Sequence, residues 1–103
     1  MTITIKNKEH FLSFGKMFII RITKELGVSL NELSDYINQN PLQSSLEIMR
    51  IALEEGKRKN NATKQANYTV EQLADIWDDE DDLLDRFMKL FNDGFEKKST
   101  AAT

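Results

Sequence analysis

Five consecutive carboxylates, Asp78-Asp79-Glu80-Asp81-Asp82, are the residues of this 103-residue chain best able to do chemistry. Such a cluster could hold a metal, serve catalysis or attract a basic partner. A calcium loop needs alternating oxygen ligands, a glycine at its sixth place and a glutamate at its twelfth. Counted from Asp78, those places hold Leu83 and Lys89, so the spacing fails. Two readings remain. In one, Asp79 or a neighbour caps the following helix, and the acids favour its positive dipole end by roughly 0.3–1 kcal/mol each. In the other, the corner is a contact surface for a basic partner. Capping needs one or two acids rather than five, and adjacent like charges offset part of the gain.

The remaining candidates are weaker. His10 is the only histidine and there is no cysteine, so a zinc site or a Ser–His–Asp set would depend on that one ring, with no ligand at a suggestive spacing. A histidine at a turn or hairpin edge is the simpler reading. The four glycines are isolated, which leaves no phosphate-binding loop. The expectation is a protein that is not an enzyme and carries no cofactor or metal. Lys57-Arg58-Lys59 with Lys64 could touch phosphate, but cations also suit the negative end of a helix. Leu30–Leu53 could form a helix-turn-helix, giving a DNA-binding regulator of a phage or mobile element as the alternative function. Its would-be recognition helix, Leu42–Glu55, carries one arginine and three glutamates, a poor surface for a DNA groove.

Composition narrows the class further. The chain is 40% hydrophobic and 30% charged, ordinary for a soluble globular protein, and long enough for one modest core. The absence of cysteine suits a reducing cytoplasm. Its longest apolar run, Met17–Ile20, is far short of a membrane span, and no secretory signal follows Met1. Charge is uneven: residues 1–67 hold ten Lys/Arg against seven Asp/Glu, and residues 68–103 hold four against ten. That asymmetry could hold the halves together or recruit a basic partner, and it makes nucleic acid an unsuitable general ligand.

The elements that must position these residues follow from periodicity. Thr2–Lys6 alternates polar and β-branched apolar residues, and His10–Phe14 alternates again, so a hairpin over 1–15 with its turn at Asn7-Lys8 is expected. No glycine follows Asn7, although the tightest hairpin turns want positive φ at both central residues. Phe18, Ile22 and Leu26 lie at helical spacing, with Gly27 placed as a left-handed stop. Ser29 with Glu32, and Thr69 with Gln72, are two capping boxes, and Pro41 suits a first helical position. Leu42, Leu46, Met49 and Leu53 form the stripe of the helix between them, which Gly56 is expected to end. The whole is a mainly α domain over 1–98: a short N-terminal β-hairpin, about five helices split between 16–56 and 68–98, a basic linker over 57–67, and a disordered tail over 99–103.

After the acidic corner, Leu83, Leu84, Phe87, Met88, Leu90, Phe91 and Phe95 fall within about 160° of a helical wheel. A stripe of this kind is ordinarily core, though in so small a chain part of it could face a partner. Gly94 lies within the sector, where it would let another segment approach.

Three blocks together resemble the tail assembly chaperones of long-tailed bacteriophages and prophages. Ile3-Thr4-Ile5-Lys6-Asn7-Lys8 with Phe14-Gly15 is similar to their opening strand, turn and Phe-led helix start. Leu26-Gly27-Val28-Ser29-Leu30-Asn31-Glu32-Leu33 is similar to their helix–Gly–helix junction. Tyr68-Thr69-Val70-Glu71-Gln72-Leu73 with Asp78–Phe95 is similar to their closing module. The resemblance implies a small helical non-enzyme in the host bacterial cytoplasm that binds the tape measure protein, and often the tail tube subunit, before polymerisation and is not in the mature virion. Under it, Trp77, Leu84, Phe87, Phe91 and Phe95 are the expected partner contacts, and Asp79, Glu80, Asp81 and Asp82 steer docking. Self-association is left open.

Overall fold

A computed structural model describes the backbone of residues 1–102 and the side chains of residues 1–94. Among them, two strands, β1 (Thr2–Ile5) and β2 (Lys8–Phe11), precede five helices: α1 (Lys16–Leu26), α2 (Leu30–Gln39), α3 (Pro41–Lys59), α4 (Val70–Asp79) and α5 (Leu83–Ala102). The expected mainly helical globule with an N-terminal hairpin is what forms. The helix assignment runs through 99–102, where a disordered tail is expected; the side chains there lie outside the described residues.

The helix starts follow their local chemistry. Ser29 Oγ accepts from the Glu32 amide while the Glu32 carboxylate takes the Ser29 amide, and Thr69 and Gln72 repeat the arrangement on α4. Pro41 opens α3 at a position whose N–H has no partner to lose. Gly27 closes α1 at φ 68°, the left-handed conformation that side chains disfavour.

Helix α3 is the axis of the molecule. No residue from Ser44 to Gly56 is exposed, and Ile48, Met49, Ile51 and Ala52 are wholly buried. Helices α1, α2, α4 and α5 and strand β2 all pack against it. Leu42, expected in the buried stripe, is instead 58% exposed, because the first turn of α3 projects beyond its neighbours. Gly56 does not end the helix, which runs on through Lys57-Arg58-Lys59, so the linker proper begins at Asn60. Gly56 has a different duty: a Cβ there would collide with the carbonyl of Phe11. The hairpin lies on α3 at the one buried site without a side chain, and the Ser13 amide donates to the Ala52 carbonyl beside it (3.1 Å).

The hairpin turn sits one residue earlier than expected. Ile5 pairs with Lys8, so Lys6 and Asn7 are the central residues, at φ 52° and 65°. Both are in the left-handed region without glycine, which is unfavourable for Lys6 in particular. An outside contact compensates: the Lys6 amide donates to Glu80 Oε2 at 2.9 Å. On the other strand, the Gln65 side chain imitates a neighbouring peptide. Its Oε1 accepts from the Phe11 amide (2.7 Å), and its Nε2 donates to the carbonyls of Phe11 and Leu53 (both 3.1 Å).

Rings of Phe14, Phe18, Phe87 and Phe91 join α1 to α5, with Phe14 meeting Phe18 at 5.1 Å and Phe91 at 5.7 Å between centroids. Gly94 makes room for this cluster, since a Cβ there would lie 2.9 Å from the Phe14 ring and 3.3 Å from the Met1 methyl. Full burial of each such side chain contributes on the order of 1.5–3 kcal/mol.

Gly56→Ala should lower stability by about 1–3 kcal/mol, the range for overpacking a rigid site, because the atoms it meets belong to backbone. Urea denaturation reads this as a fall in midpoint, with Gly94→Ala costing less because its neighbours are side-chain ends that can shift.

Candidate functional site

The acidic corner divides into two halves with different duties. Glu80 is structural. Besides holding the Lys6 amide, it accepts from Arg86 Nη2 at 2.9 Å, and Arg86 Nη1 donates to the Thr4 carbonyl at 2.7 Å. Arg86 Nε lies 3.2 Å from Asp82 Oδ2, close enough to attract but not aligned as a hydrogen bond. Glu80 and Arg86 thus fasten the end of β1 and the turn that follows it to the junction of α4 and α5. Trp77, half-buried, donates its indole N–H to the Asp81 carbonyl at 3.1 Å and clamps the same junction.

Asp78, Asp79 and Asp81 form the other half. They are exposed and take part in no ion pair among the described residues; Asp82 is exposed too, its side chain 70% accessible, with Arg86 as a loose partner. Among the described residues no group of His, Asp or Glu side chains converges as a metal cage.

The apolar stripe of α5 lies in a different place from the one the sequence suggests. Leu84, Phe87 and Phe91 are core residues, 6%, 0% and 4% exposed, and offer almost no surface to a partner while the domain is folded. The cause is the Phe14–Phe18 pair, which arrives from the hairpin exit and α1 and covers the stripe. The Phe95 side chain lies outside the described residues.

What α5 leaves accessible is its flank. Helices α2 and α5 both rest on the core but scarcely touch each other. A groove of about 340 Å³ separates them. Leu30, Leu33 and Ile37 line it from α2, Met88 and Phe91 from α5, with Ser34, Asn38 and Asn92 among them. Leu33 and Phe91 form its floor, whereas Leu30 is 46% exposed at the rim. No charged residue lines it. Of the nearby charges, Asp85 lies one turn above Met88 on the same side of α5, whereas Glu32 and Asp35 fall on the side of α2 turned away from the groove. Lys89 turns instead toward a separate groove beside Thr2–Thr4. The i, i+3, i+7 spacing of Leu30, Leu33 and Ile37 was a visible signal for this wall; it reads as ordinary core until the structure shows the first of them in solvent.

His10 is accounted for. It is 4% exposed on β2. A carbonyl can only accept, so its Nδ1 donates to the Lys8 carbonyl (2.9 Å), and Nε2 meets the Tyr68 hydroxyl at 3.0 Å. The ring ties the hairpin to the start of α4. Of the basic residues the arginines are likewise engaged, whereas Lys57, Lys59 and Lys64 take part in no ion pair among the described residues. Arg21 bridges Glu25, Glu54 and Glu55, Arg50 bridges Glu25 and Glu54, and Arg58 holds Glu55, which lace α1 to α3. Burial works against the Glu55 carboxylate, but hydrogen bonds from Arg58 and Arg21 outweigh it and hold its pKa below the ordinary value. Glu25 is lowered by the same balance, with Arg50 and Arg21 as its donors. The would-be recognition helix is α3, whose residues from Ser44 to Gly56 are all buried or half-buried.

No family model, characterised protein or solved structure matches the chain.

Two outcomes follow. Glu80→Ala should cost about 1–3 kcal/mol in chemical denaturation, since it leaves the Lys6 amide and Arg86 without their acceptor, whereas Asp79→Ala should change stability by less than about 0.5 kcal/mol. The lowered carboxylates set a pH dependence. Because Glu25 and Glu55 titrate lower when folded than the ordinary 4.5, their contribution is complete above that value and is lost as pH falls through the folded pKa. A thermal-melt series from pH 7 to pH 3 should therefore decline on the acid side, and less steeply for Glu55→Gln.

Proposed function

We propose that the chain is a non-enzymatic tail assembly chaperone that binds a phage tape measure protein, and in some systems the tail tube subunit, before the tail polymerises. The observation that carries this reading is the uncharged, largely apolar groove between α2 and α5 on an otherwise closed helical globule, with the exposed acids Asp78, Asp79 and Asp81 at the α4–α5 junction. A tape measure is a long helical chain with apolar stripes that aggregate when bare. A small protein that covers them needs an open apolar surface, charges for rapid and reversible docking, and no catalytic constellation. The resemblance of the hairpin, the helix–Gly–helix junction and the closing module points the same way. The contact is reassigned from the buried Leu84, Phe87 and Phe91 to the groove rim, with Asp79, Asp81 and Asp82 keeping the steering role. No helix among the described residues is long and apolar enough to cross a membrane, and action in the host cytoplasm, outside the mature virion, belongs to this proposal.

Co-expression with a tape measure protein should raise its soluble fraction several-fold over expression alone, read by ultracentrifugation of the lysate. A filter-binding salt series with duplex DNA should show no steep salt-dependent retention. An unchanged tape measure pellet together with tight, salt-sensitive DNA binding would replace the chaperone with the DNA-binding regulator.

A further inference from the structure

We propose that the open edge of β1 takes up an extended peptide as an added strand, one with an acidic residue ahead of its paired core and a cationic residue after it. The inference is independent of the chaperone reading, since it concerns a different surface and a different shape of ligand. In an antiparallel ladder the N–H and C=O of successive residues point alternately toward the partner strand and away from it. The Leu12 amide bonds to the Met1 carbonyl, so Ile3 and Ile5 face β2, and Thr2 and Thr4 face outward. Arg86 on the Thr4 carbonyl and Glu80 on the Lys6 amide close the turn end of this edge. The Thr2 amide, the Thr2 carbonyl and the Thr4 amide have no partner among the described residues, and both threonines are exposed. Such a row of free groups is a template for a strand, and the Thr4 carbonyl keeps a second lone pair for it. On β2 the Gln65 side chain already lies across the edge at Phe11.

The seat of the added strand is the groove of about 340 Å³ between Thr2–Thr4 and the Arg86, Lys89, Leu90 and Asp93 side of α5. The helix runs against the strand: Arg86 meets Thr4, whereas Gly94 lies by Met1. The wall is therefore cationic beside Thr4 and acidic toward Thr2. Lys89 and Asp93 are exposed and take part in no ion pair among the described residues. An antiparallel segment enters with its N-terminal end at Thr4. Two of its residues pair with Thr4 and Thr2, and the one between them lies opposite Ile3. That central residue and those just outside the pair share the Ile3 face, because side chains alternate along a strand. An acid ahead of the paired core then falls beside Arg86 and Lys89, a β-branched centre beside Leu90, and a cation after the core beside Asp93. A second copy of β1 fits less well, since this pairing places its uncharged Met1 and Ile5 where the charges belong.

The test titrates the full chain, labelled with ¹⁵N, with the acetylated and amidated peptide Glu-Thr-Val-Thr-Lys and follows amide shifts by NMR. Saturable shifts should centre on Thr2, Thr4 and Lys89. Two methylated peptides then isolate the backbone contribution. N-methylation of both peptide threonines, whose amides would face β1, should weaken binding at least tenfold. N-methylation of the valine, whose amide would face away, should leave binding within about twofold. The peptide with its charges exchanged, Lys-Thr-Val-Thr-Glu, should bind more weakly, and Lys89→Glu at an exposed position should narrow or reverse that order. The methylated pair leaves the protein unaltered, so it decides the matter even where Lys89→Glu perturbs the fold. No saturable shift at millimolar peptide, shifts centred away from β1, equal loss with either methylation, or indifference to charge order would overturn the proposal. A concentration-dependent dimer joined through Thr2 and Thr4 in the absence of peptide would overturn it too, by giving the edge to a second copy.

Discussion

The structure depends on the burial of α3 from every side. A helix with Ile48, Met49, Ile51 and Ala52 all out of solvent cannot be satisfied by one or two neighbours. Each remaining element therefore presents an apolar face inward, and little such face is left for anything else. This is why the phenylalanine stripe of α5, wide enough on a helical wheel to suggest a docking surface, is consumed internally. In about a hundred residues a core of this kind leaves mainly the seams between elements as concave surfaces, and the α2–α5 seam is one with no charged residue in its lining.

A two-stranded hairpin is marginal alone and exposes two edges ready to pair with other chains. Here side chains manage part of each. Gln65 offers an amide that engages the outward N–H and C=O of Phe11, and Arg86 occupies the outward carbonyl of Thr4. Glu80 then joins Arg86 to the strained turn. One acid of the five is thereby withdrawn from recognition and spent on placing the strands, and it can do so because the chain breaks at that point and aims its carboxylate back at Lys6.

Local grammar was legible and long-range partnership was not. The two capping boxes, the left-handed Gly27 and Pro41 at a helix start are each decided within a few residues, and all form as the residues suggest. Gly56 misleads for the opposite reason: its meaning lies in Phe11, far away in sequence, and a glycine near a run of cations looks the same whether it ends a helix or admits a strand. The turn at Lys6-Asn7 could not be placed from local rules because Glu80 offsets its cost from the other half of the chain. Leu84 and Phe91 were recognisable as one face, yet periodicity cannot say whether that face meets the chain's own Phe14 or a stranger.

The division of the acidic corner also bears on how a partner would be caught and released. Exposed carboxylates separated from the apolar floor act over about a Debye length, roughly 8–10 Å at physiological salt, so they raise encounter rates without themselves being desolvated. In the proposed docking, the exposed Leu30 and the half-buried Ile37 and Met88 would supply the short-range apolar contact. Placing both functions on one set of residues would bury charge and slow release. Under the proposed chaperone reading, separating them would let salt tune the on-rate while apolar fit sets the lifetime, which suits a partner that must later be surrendered to an assembling polymer.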